Sequence, residues 1–237
     1  MKVALNISRW IFILFLPVTL VTSTIAAAFN SLCLYRYDFN KYHISSVTGI
    51  APNELEKAAN GIIAYWNSPD EYIHIVVNKN DQPFTLFNDR EVVHMKDVKS
   101  LVSLDYAALA FTGIYCILYT GIALFWRRPR YHRELKVAGV GGGAFTLGFL
   151  GVIGVMAAAN FDAFWTNFHL LSFANDFWQL DPTSDYLIMM FPEGFWSDAV
   201  IIVGVSAALL ALLIGAGSWL SFRLDARKKI DGQEKII

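Results

Sequence analysis

Charged residues, cysteines and the short signatures of soluble enzymes are scarce in this sequence. Only 16% of its residues are Asp, Glu, Lys or Arg, whereas 55% are hydrophobic, and this balance excludes an ordinary soluble domain. Of its two cysteines, Cys33 follows the first apolar run and Cys116 lies in the middle of the second. At about 1.5 Å per helical residue they would lie at different depths in a membrane, which argues against a disulfide between them.

Several classes of function are excluded by what is missing. The sequence contains no GxSxG, Walker, HExxH or CxxC motif, so serine hydrolases, nucleotide-binding proteins and standard zinc sites lack their signatures. It has no basic aromatic stretch, and we predict no nucleic-acid partner. The interiors of the apolar runs carry no charge, which argues against a pump or a secondary transporter.

Four apolar runs are long enough to cross a membrane as helices, which takes about 20 residues each. They cover residues 10–29, 106–126, 137–158 and 199–220. The predicted fold class is therefore an all-α membrane protein with four transmembrane helices. The first run resembles a signal peptide, but it is longer than the usual apolar core of about 7 to 15 residues, so we favour an anchor.

Small residues in the third and fourth runs predict close helix packing, because they let two helix backbones approach each other. They are Gly139, Gly143, Gly148, Gly151 and Gly154 in the third run, and Gly204, Ala208, Ala211 and Gly215 in the fourth.

Lysine and arginine predict the orientation, because basic segments stay on the cytoplasmic side. The basic residues near the span ends are Lys2, Arg9, Arg127, Arg128, Arg130, Arg133, Lys136, Arg223, Arg227, Lys228 and Lys229. With these inside, residues 30–105 and 159–198 lie outside and hold 16 of the 20 acidic residues. The predicted topology has both termini inside and two extracytoplasmic segments.

The first outer segment, residues 30–105, is long enough to form a small α+β domain. Helical spacing of apolar residues predicts a helix over 53–66. Residues 72–77 and 84–87 are typical of two strands joined by a polar turn. Asn88, followed by Glu91 three residues later, has the spacing of a capping box. A second helix is therefore predicted from residue 89 to about 101, running towards or into the second span.

His94 lies on this second helix and is the first candidate catalytic residue. Arg90 precedes it by four residues and Asp97 follows it by three, so all three share one face, where Asp97 could raise the basicity of the imidazole. A solvated helix face explains the same spacing. Glu91 and His94 also resemble half of a carboxylate-bridged metal site, but no second such pair exists, and we predict neither a metal nor another cofactor.

The second outer segment, residues 159–198, is crowded with aromatic residues. Phe161, Trp165 and Phe168 share a helical face, as expected of an interfacial helix at the membrane surface. His169 follows Trp165 by four residues and lies at the margin of that face. The alternative is an interfacial histidine with no chemical role.

Acidic residues of this segment allow two interpretations. Asp162 lies near the start of the aromatic stretch, while Asp181 and Asp185 flank a turn that precedes the sequence FPEGFW. They fit either ordinary loop and helix-start chemistry or the wall of a lipid headgroup pocket. Their spacing does not distinguish the two.

Two sequences carry a resemblance to a known family. FNDREVVHMKDVKSL, a basic segment and then FHLLSFANDFW with SDYLIMMFPEGFW resemble the lipoprotein intramolecular transacylase family of bacterial membranes, over nearly the whole chain. The resemblance implies a multi-pass enzyme of the cell membrane that acts on a diacylglyceryl-modified lipoprotein among membrane lipids. It would move the sn-2 acyl chain to the α-amino group of the N-terminal cysteine, leaving a lyso-form lipoprotein. The family's paired histidines fall on His94 and His169, at the extracytoplasmic face.

Histidine chemistry suits this transfer. An α-amino group must lose a proton to attack an ester, and an imidazole can take that proton and return it to the leaving oxygen. We expect His94 to be the general base, oriented by Asp97, and His169 to polarise the carbonyl or donate the proton, although the roles could be exchanged. Arg90 is another possible oxyanion donor. The supporting residues are expected to be Asn88, Arg90, Asp97, Asp162 and Asp185.

Two other functions fit the sequence. One is a non-catalytic module that binds lipid or a partner protein through the aromatic segment. The other is a metal enzyme with an ion between His94, His169 and either Glu91 or Asp162.

Overall fold

The structure, a computed structural model, describes residues 2–125 and 129–234. Within these residues it contains nine α-helices and one two-stranded sheet. The helices are α1 (Lys2–Phe29), α2 (Leu32–Lys41), α3 (Ile44–Thr48), α4 (Pro52–Trp66), α5 (Asp89–Phe125), α6 (Pro129–Ala159), α7 (Phe161–Ser172), α8 (Tyr186–Met190) and α9 (Glu193–Glu234), and the strands are β1 (Val76–Lys79) and β2 (Gln82–Thr85).

Four of these helices are long and apolar enough to cross a membrane. They are Leu5–Phe29 within α1, the whole of α5, Arg130–Ala159 within α6 and Glu193–Ala226 within α9. The predicted mostly helical class and the number of spans are confirmed. Of the basic residues used to predict orientation, Arg127 and Arg128 lie outside the described residues, as do the side chains of Lys2, Arg227, Lys228 and Lys229.

Helix α5 runs into the second span, which is one of the two predicted arrangements. The helix expected at residue 89 and the span expected at 106 form one helix of 37 residues, about 55 Å long at 1.5 Å per residue. A hydrocarbon core is about 30 Å thick, so this helix is longer than a membrane crossing requires. Its charged residues all lie within 89–105, which places this first part, with His94, outside the membrane-spanning part.

The described residues within Met1–Thr24, Ala107–Val155 and Gly204–Ile237 form one compact unit. Gly143 packs so closely that an added Cβ would lie 2.8 Å from the carbonyl oxygen of Ala211 and 3.1 Å from the Cα of Gly215. The predicted close packing of small residues is confirmed here. It is wrong for Gly148, Gly151, Gly154 and Gly204, because among the described residues no atom beyond the glycine's own stretch of helix backbone lies within 4 Å of an added Cβ.

Ile25–Tyr106 and Met156–Val203 form the second compact unit, which contains both predicted outer segments. The predicted helix at 53–66 is confirmed as α4, with Pro52 in its first turn, where a missing N–H costs nothing. Its buried face, including Leu55, Ile62 and Trp66, packs into a core shared with aromatic side chains from α2 and α9. This core fixes the elements on which the candidate site is built.

The predicted hairpin exists, but its strand boundaries were wrong. The two strands meet at a two-residue turn in which Asn80 and Asp81 both have positive φ, 53° and 60°, the conformation of the tight turns that suit hairpin twist. Pairing therefore begins next to the turn, with Lys79 opposite Gln82. Ile73 and Ile75, which we expected in a strand, are instead buried in the core ahead of β1.

Candidate active site

Glu91 fixes the start of α5 and connects it to α8. The Asn88 backbone N–H donates to Glu91 Oε2 at 2.7 Å, and the Glu91 N–H donates to Asn88 Oδ1 at 3.1 Å, so the predicted capping box is confirmed. The second oxygen, Oε1, accepts from the Leu187 N–H at 2.6 Å. Burial raises the pKa of Glu91, whereas the hydrogen bonds from the Leu187 and Asn88 backbone N–H groups lower it. The first turn of α5, which precedes His94, is therefore tightly held.

His94 of α5 and His169 of α7 lie side by side. Their ring centroids are 6.0 Å apart and their planes differ by 30°. The two residues are 7% and 8% exposed, so both imidazoles are largely shielded from solvent. The structure thus brings together two candidates that lie 75 positions apart in the sequence.

The tautomer of His169 follows from its hydrogen bond. Its Nδ1 lies 2.8 Å from the backbone carbonyl oxygen of Trp165, one turn earlier in α7. Because a carbonyl oxygen only accepts, Nδ1 must carry the proton. In the neutral ring the lone pair is then on Nε2, and this nitrogen is available as a base.

Aromatic rings enclose the two imidazoles. Trp178 lies 4.9 Å from His169 and Phe173 lies 5.1 Å from His94, between ring centroids. The other rings against His169 are Trp165 at 4.8 Å, Phe168 at 5.5 Å and Phe173 at 5.6 Å. Such an enclosure excludes water and favours uncharged groups.

This environment disfavours protonation of both histidines. Burial, followed by the neighbouring His169, lowers the pKa of His94 to about 4, against an opposing effect of Asp97. Burial also lowers the pKa of His169, against the effect of its hydrogen bond to Trp165. Both rings are therefore neutral at pH 7 and can accept a proton.

Asp97, which we expected to orient His94, makes no hydrogen bond to it among the described residues. Its Oδ2 accepts a hydrogen bond from Asn175 Nδ2 at 2.8 Å, and within the described residues His94 Nδ1 has no hydrogen-bond partner. Asn175 comes from the second outer segment, so its approach to Asp97 depends on the tertiary fold and is absent from local spacing.

Arg90 also has a different partner from the one expected. Its Nη2 donates to the backbone carbonyl oxygen of Asp176 at 2.6 Å, and the side chain is exposed. The guanidinium is thus bound to the second outer segment, and its role as an oxyanion donor stays a prediction.

Of the other supporting candidates, Asn88 and Asp185 are joined by a hydrogen bond. Asn88 Nδ2 donates to Asp185 Oδ1 at 2.9 Å, and Asp185 Oδ2 accepts from the Asp181 N–H at 2.7 Å. Asp162 is exposed in the first turn of α7, next to the helix cap Asn160, where a carboxylate favours the helix dipole. The structure shows no hydrogen bond from any of these described side chains to either histidine.

The positions of the described side chains give the metal alternative no support. Both Glu91 oxygens are occupied by backbone amides. Across residues 2–125 and 129–234, no three side chains of His, Cys, Asp or Glu are grouped in a way that could hold an ion.

Sequence reasoning missed three contributors to the site, namely Phe173, Trp178 and Asn175. The aromatic crowding of residues 159–198 was visible, but spacing assigned no ring to the histidines. The carbonyl oxygen of Trp165 was also missed, although the four-residue interval to His169 on a helix is the signal that identifies it.

One protein family matches most of the chain. The family model described as lipoprotein intramolecular transacylase Lit matches residues 10–196. An uncharacterized protein of Aquifex aeolicus (strain VF5) is 29% identical over 128 residues, 54% of either chain. The chain thus matches about half the length of this curated relative.

Solved structures show the same fold. The structure of the membrane integral lipoprotein intramolecular transacylase Lit from Bacillus cereus is 18% identical, with a TM-score of 0.76, over 97% of this chain and 99% of that one. A second structure of that protein, with a histidine replaced by arginine, is 17% identical, with a TM-score of 0.75, over 96% of each chain.

Proposed function

Because the chain belongs to the lipoprotein intramolecular transacylase (Lit) family, we propose that it catalyses intramolecular acyl transfer on diacylglyceryl-modified lipoproteins at the extracytoplasmic face of the bacterial cell membrane. The observation that carries the proposal is the pair of buried imidazoles of His94 and His169, with ring centroids 6.0 Å apart. Both lie within the part of the chain that matches the family model, residues 10–196.

The proposed reaction exchanges an ester for an amide within one substrate molecule. The α-amino nitrogen of the N-terminal cysteine attacks the sn-2 ester carbonyl, forming the N–C bond, and the bond from that carbon to the glycerol oxygen breaks. One proton leaves the nitrogen and one is gained by the glycerol oxygen, so no water or other reactant is consumed. Because the nucleophile and the ester belong to the same molecule, their proximity lowers the activation barrier of the transfer.

His169 is the better placed general base. Its Nδ1–H is bonded to the Trp165 carbonyl oxygen, which fixes the ring and leaves the Nε2 lone pair for the amine proton. Once protonated, the ring keeps this hydrogen bond, and a charged donor strengthens it. The lowered pKa of His169 keeps Nε2 unprotonated at neutral pH. These observations favour the exchange of roles that the sequence left open.

His94 is then the partner of the base. As a neutral imidazole it has one N–H, which can donate to the oxyanion of the tetrahedral intermediate. The imidazolium of His169, formed in the first step, returns its proton to the departing glycerol oxygen. The ring beside it, with its pKa lowered to about 4, stays neutral throughout and does not compete for that proton.

The aromatic enclosure has a role in this mechanism. An acyl ester that is open to water would be hydrolysed instead of transferred, and the rings of Phe173 and Trp178 against the imidazoles limit the space for water. Apolar rings also suit the acyl chains and membrane lipid that accompany the substrate.

Mass spectrometry of a reporter lipoprotein tests the proposal. The reporter is coexpressed with the wild type, His94→Ala, His169→Ala or His74→Ala, a control at an exposed histidine. The wild type and His74→Ala should give the N-acylated lyso form, while the two site variants leave the diacylglyceryl form. Full conversion by either site variant would remove that histidine from the mechanism. No conversion by the wild type would favour the non-catalytic module that binds lipid or a partner protein.

A further inference from the structure

The residues that follow α7, 173–178, form a segment that we call the strap. It carries two of the rings that enclose the site, with Phe173 centred 5.1 Å from His94 and Trp178 centred 4.9 Å from His169. The first residue of the strap is bonded to the end of α7, through the Phe173 N–H and the His169 carbonyl oxygen. The rest of the strap therefore depends on other contacts to stay against the imidazoles.

Two side chains of α5 bind the middle of the strap. Arg90 donates to the carbonyl oxygen of Asp176 at 2.6 Å, and Asp97 accepts from Asn175 Nδ2 at 2.8 Å. Arg90 and Asp97 lie on the same helix face, about one turn before and one turn after His94. His94 is thus placed between the two attachment points.

Both polar atoms of the Asn175 side-chain amide form hydrogen bonds. Its Oδ1 accepts from the Phe177 N–H at 3.1 Å, which closes a local turn, while its Nδ2 donates to Asp97. The first bond fixes the strap's own conformation, and the second attaches that conformation to α5. The orientation of the amide is therefore determined by both partners.

We propose that Arg90 and Asp97 are positioning residues that fasten the strap to α5 and so keep Phe173 and Trp178 against the two imidazoles. This fastening stands on its own, whereas its importance for turnover rests on the proposed acyl transfer. It also gives a function to two charged residues that flank His94 and whose hydrogen bonds go to the strap and not to the histidines.

An exchange of the two hydrogen-bonding residues tests the fastening. In Asp97→Asn, an amide oxygen still accepts from Asn175, so the bond survives without its charge. In Asn175→Asp, two carboxylates face each other and the bond is lost. The double variant, Asp97→Asn with Asn175→Asp, restores the bond in reverse. The amide introduced at position 97 donates to the carboxylate introduced at position 175, whose other oxygen still accepts from the Phe177 N–H.

Hydrogen exchange of peptides covering 173–178, measured on the whole protein in detergent without substrate, reports the fastening. We expect exchange at least about tenfold faster in Asn175→Asp, which corresponds to one lost charge-assisted hydrogen bond. Asp97→Asn and the double variant should stay within a few-fold of the wild type. Arg90→Met should also speed exchange, and Arg90→Lys, which keeps a cationic donor, should recover part of the protection.

Turnover of the reporter should fall most in the variants in which hydrogen exchange of the strap is fastest. In the same variants, the acid limb of kcat/KM should move to higher pH. The fastening is overturned if Asn175→Asp exchanges at the wild-type rate, or if the double variant does not restore slow exchange. Loss of turnover in Asp97→Asn as severe as in Asn175→Asp would show that the Asp97 charge acts on His94 directly, against the positioning role. Faster exchange with unchanged turnover and pH profile would also overturn the positioning role. If the wild type makes no product, the proposed acyl transfer is wrong. The hydrogen-exchange rates of the variants still test whether Arg90 and Asp97 fasten the strap.

Discussion

The carboxylate of Glu91 accepts a hydrogen bond from the backbone N–H of Leu187 at 2.6 Å, across 96 positions of sequence. Its other oxygen closes the capping box of α5. One buried side chain therefore completes the start of one helix and fixes another, a single turn before His94. The position of the two histidines depends on this contact as well as on their own packing.

Glu91→Ala should destabilise the second unit strongly. It leaves two N–H groups without their acceptor, including the Leu187 N–H in the core, and we expect a loss of about 2–4 kcal/mol of unfolding free energy. Glu91→Gln, which keeps an acceptor oxygen, should lose less. Thermal unfolding in detergent measures both. Glu56→Ala, which breaks an exposed ion pair with Arg36, is the control and should change little; equal effects at the two positions would contradict the assigned role of Glu91.

His169→Asn separates the shape of the site from its chemistry. The Asn side-chain amide can replace the Nδ1–H that donates to the Trp165 carbonyl oxygen, but it has no counterpart of the basic Nε2. The variant should fold as the wild type does and lose roughly 10²–10⁴-fold in the rate of acyl transfer. Initial rates on the reporter, with the melting temperature measured alongside, check this. A rate within about tenfold of the wild type would show that His169 is not the base.

Trp178→Ala should change the pH dependence of the reaction. Removal of the ring hydrates His169, whose pKa is lowered by burial, and the pKa should rise towards its ordinary value of about 6.5. Because the base must be unprotonated, a higher pKa moves the acid limb of kcat/KM to higher pH, and activity at pH 6 falls more than at pH 8. Phe177→Ala, at a neighbouring exposed aromatic residue, should leave the limb in place. A parallel loss at all pH values in Trp178→Ala would contradict the role of the ring in excluding water.

Asp38→Asn should stabilise the protein at alkaline pH. Asp38 is fully buried on α2, and burial, followed by the nearby Asp198, raises its pKa. A carboxyl whose pKa is raised in the folded state contributes its stability below the ordinary pKa of about 4 and loses it as pH rises through the raised value. The melting temperature of the wild type should therefore fall as pH rises from the ordinary to the raised pKa of Asp38. That of Asp38→Asn should fall less. Equal slopes for the two proteins between pH 5 and 8 would disprove the assignment.

Local patterns were sufficient for much of the fold. The helix at Pro52–Trp66 followed from apolar spacing, and the start of α5 followed from Asn88 and Glu91. They were insufficient for the hairpin boundaries, because side-chain alternation extends into Ile73 and Ile75, which are buried without being in a strand. The small residues of the third run predicted more close helix packing than the structure contains. A glycine allows close packing but does not show whether another helix lies opposite it.

For the site, the sequence indicated both histidines and the shared helix face of Arg90, His94 and Asp97. It assigned the wrong partners to Arg90 and Asp97, because the strap residues that bind them, Asn175 and Asp176, lie 78 and 86 positions away. The tautomer of His169 was derivable in principle, since its acceptor lies one turn away on the same helix.

By itself, the sequence determined the membrane class, the four long apolar helices and the capping box that begins α5, since each of these depends on the length or spacing of neighbouring residues. Only the tertiary structure decided that two imidazoles meet, that Glu91 binds Leu187 and that the strap lies over the site. Such contacts join residues 75 to 96 positions apart. They arise from the packing of one core, which no local pattern specifies.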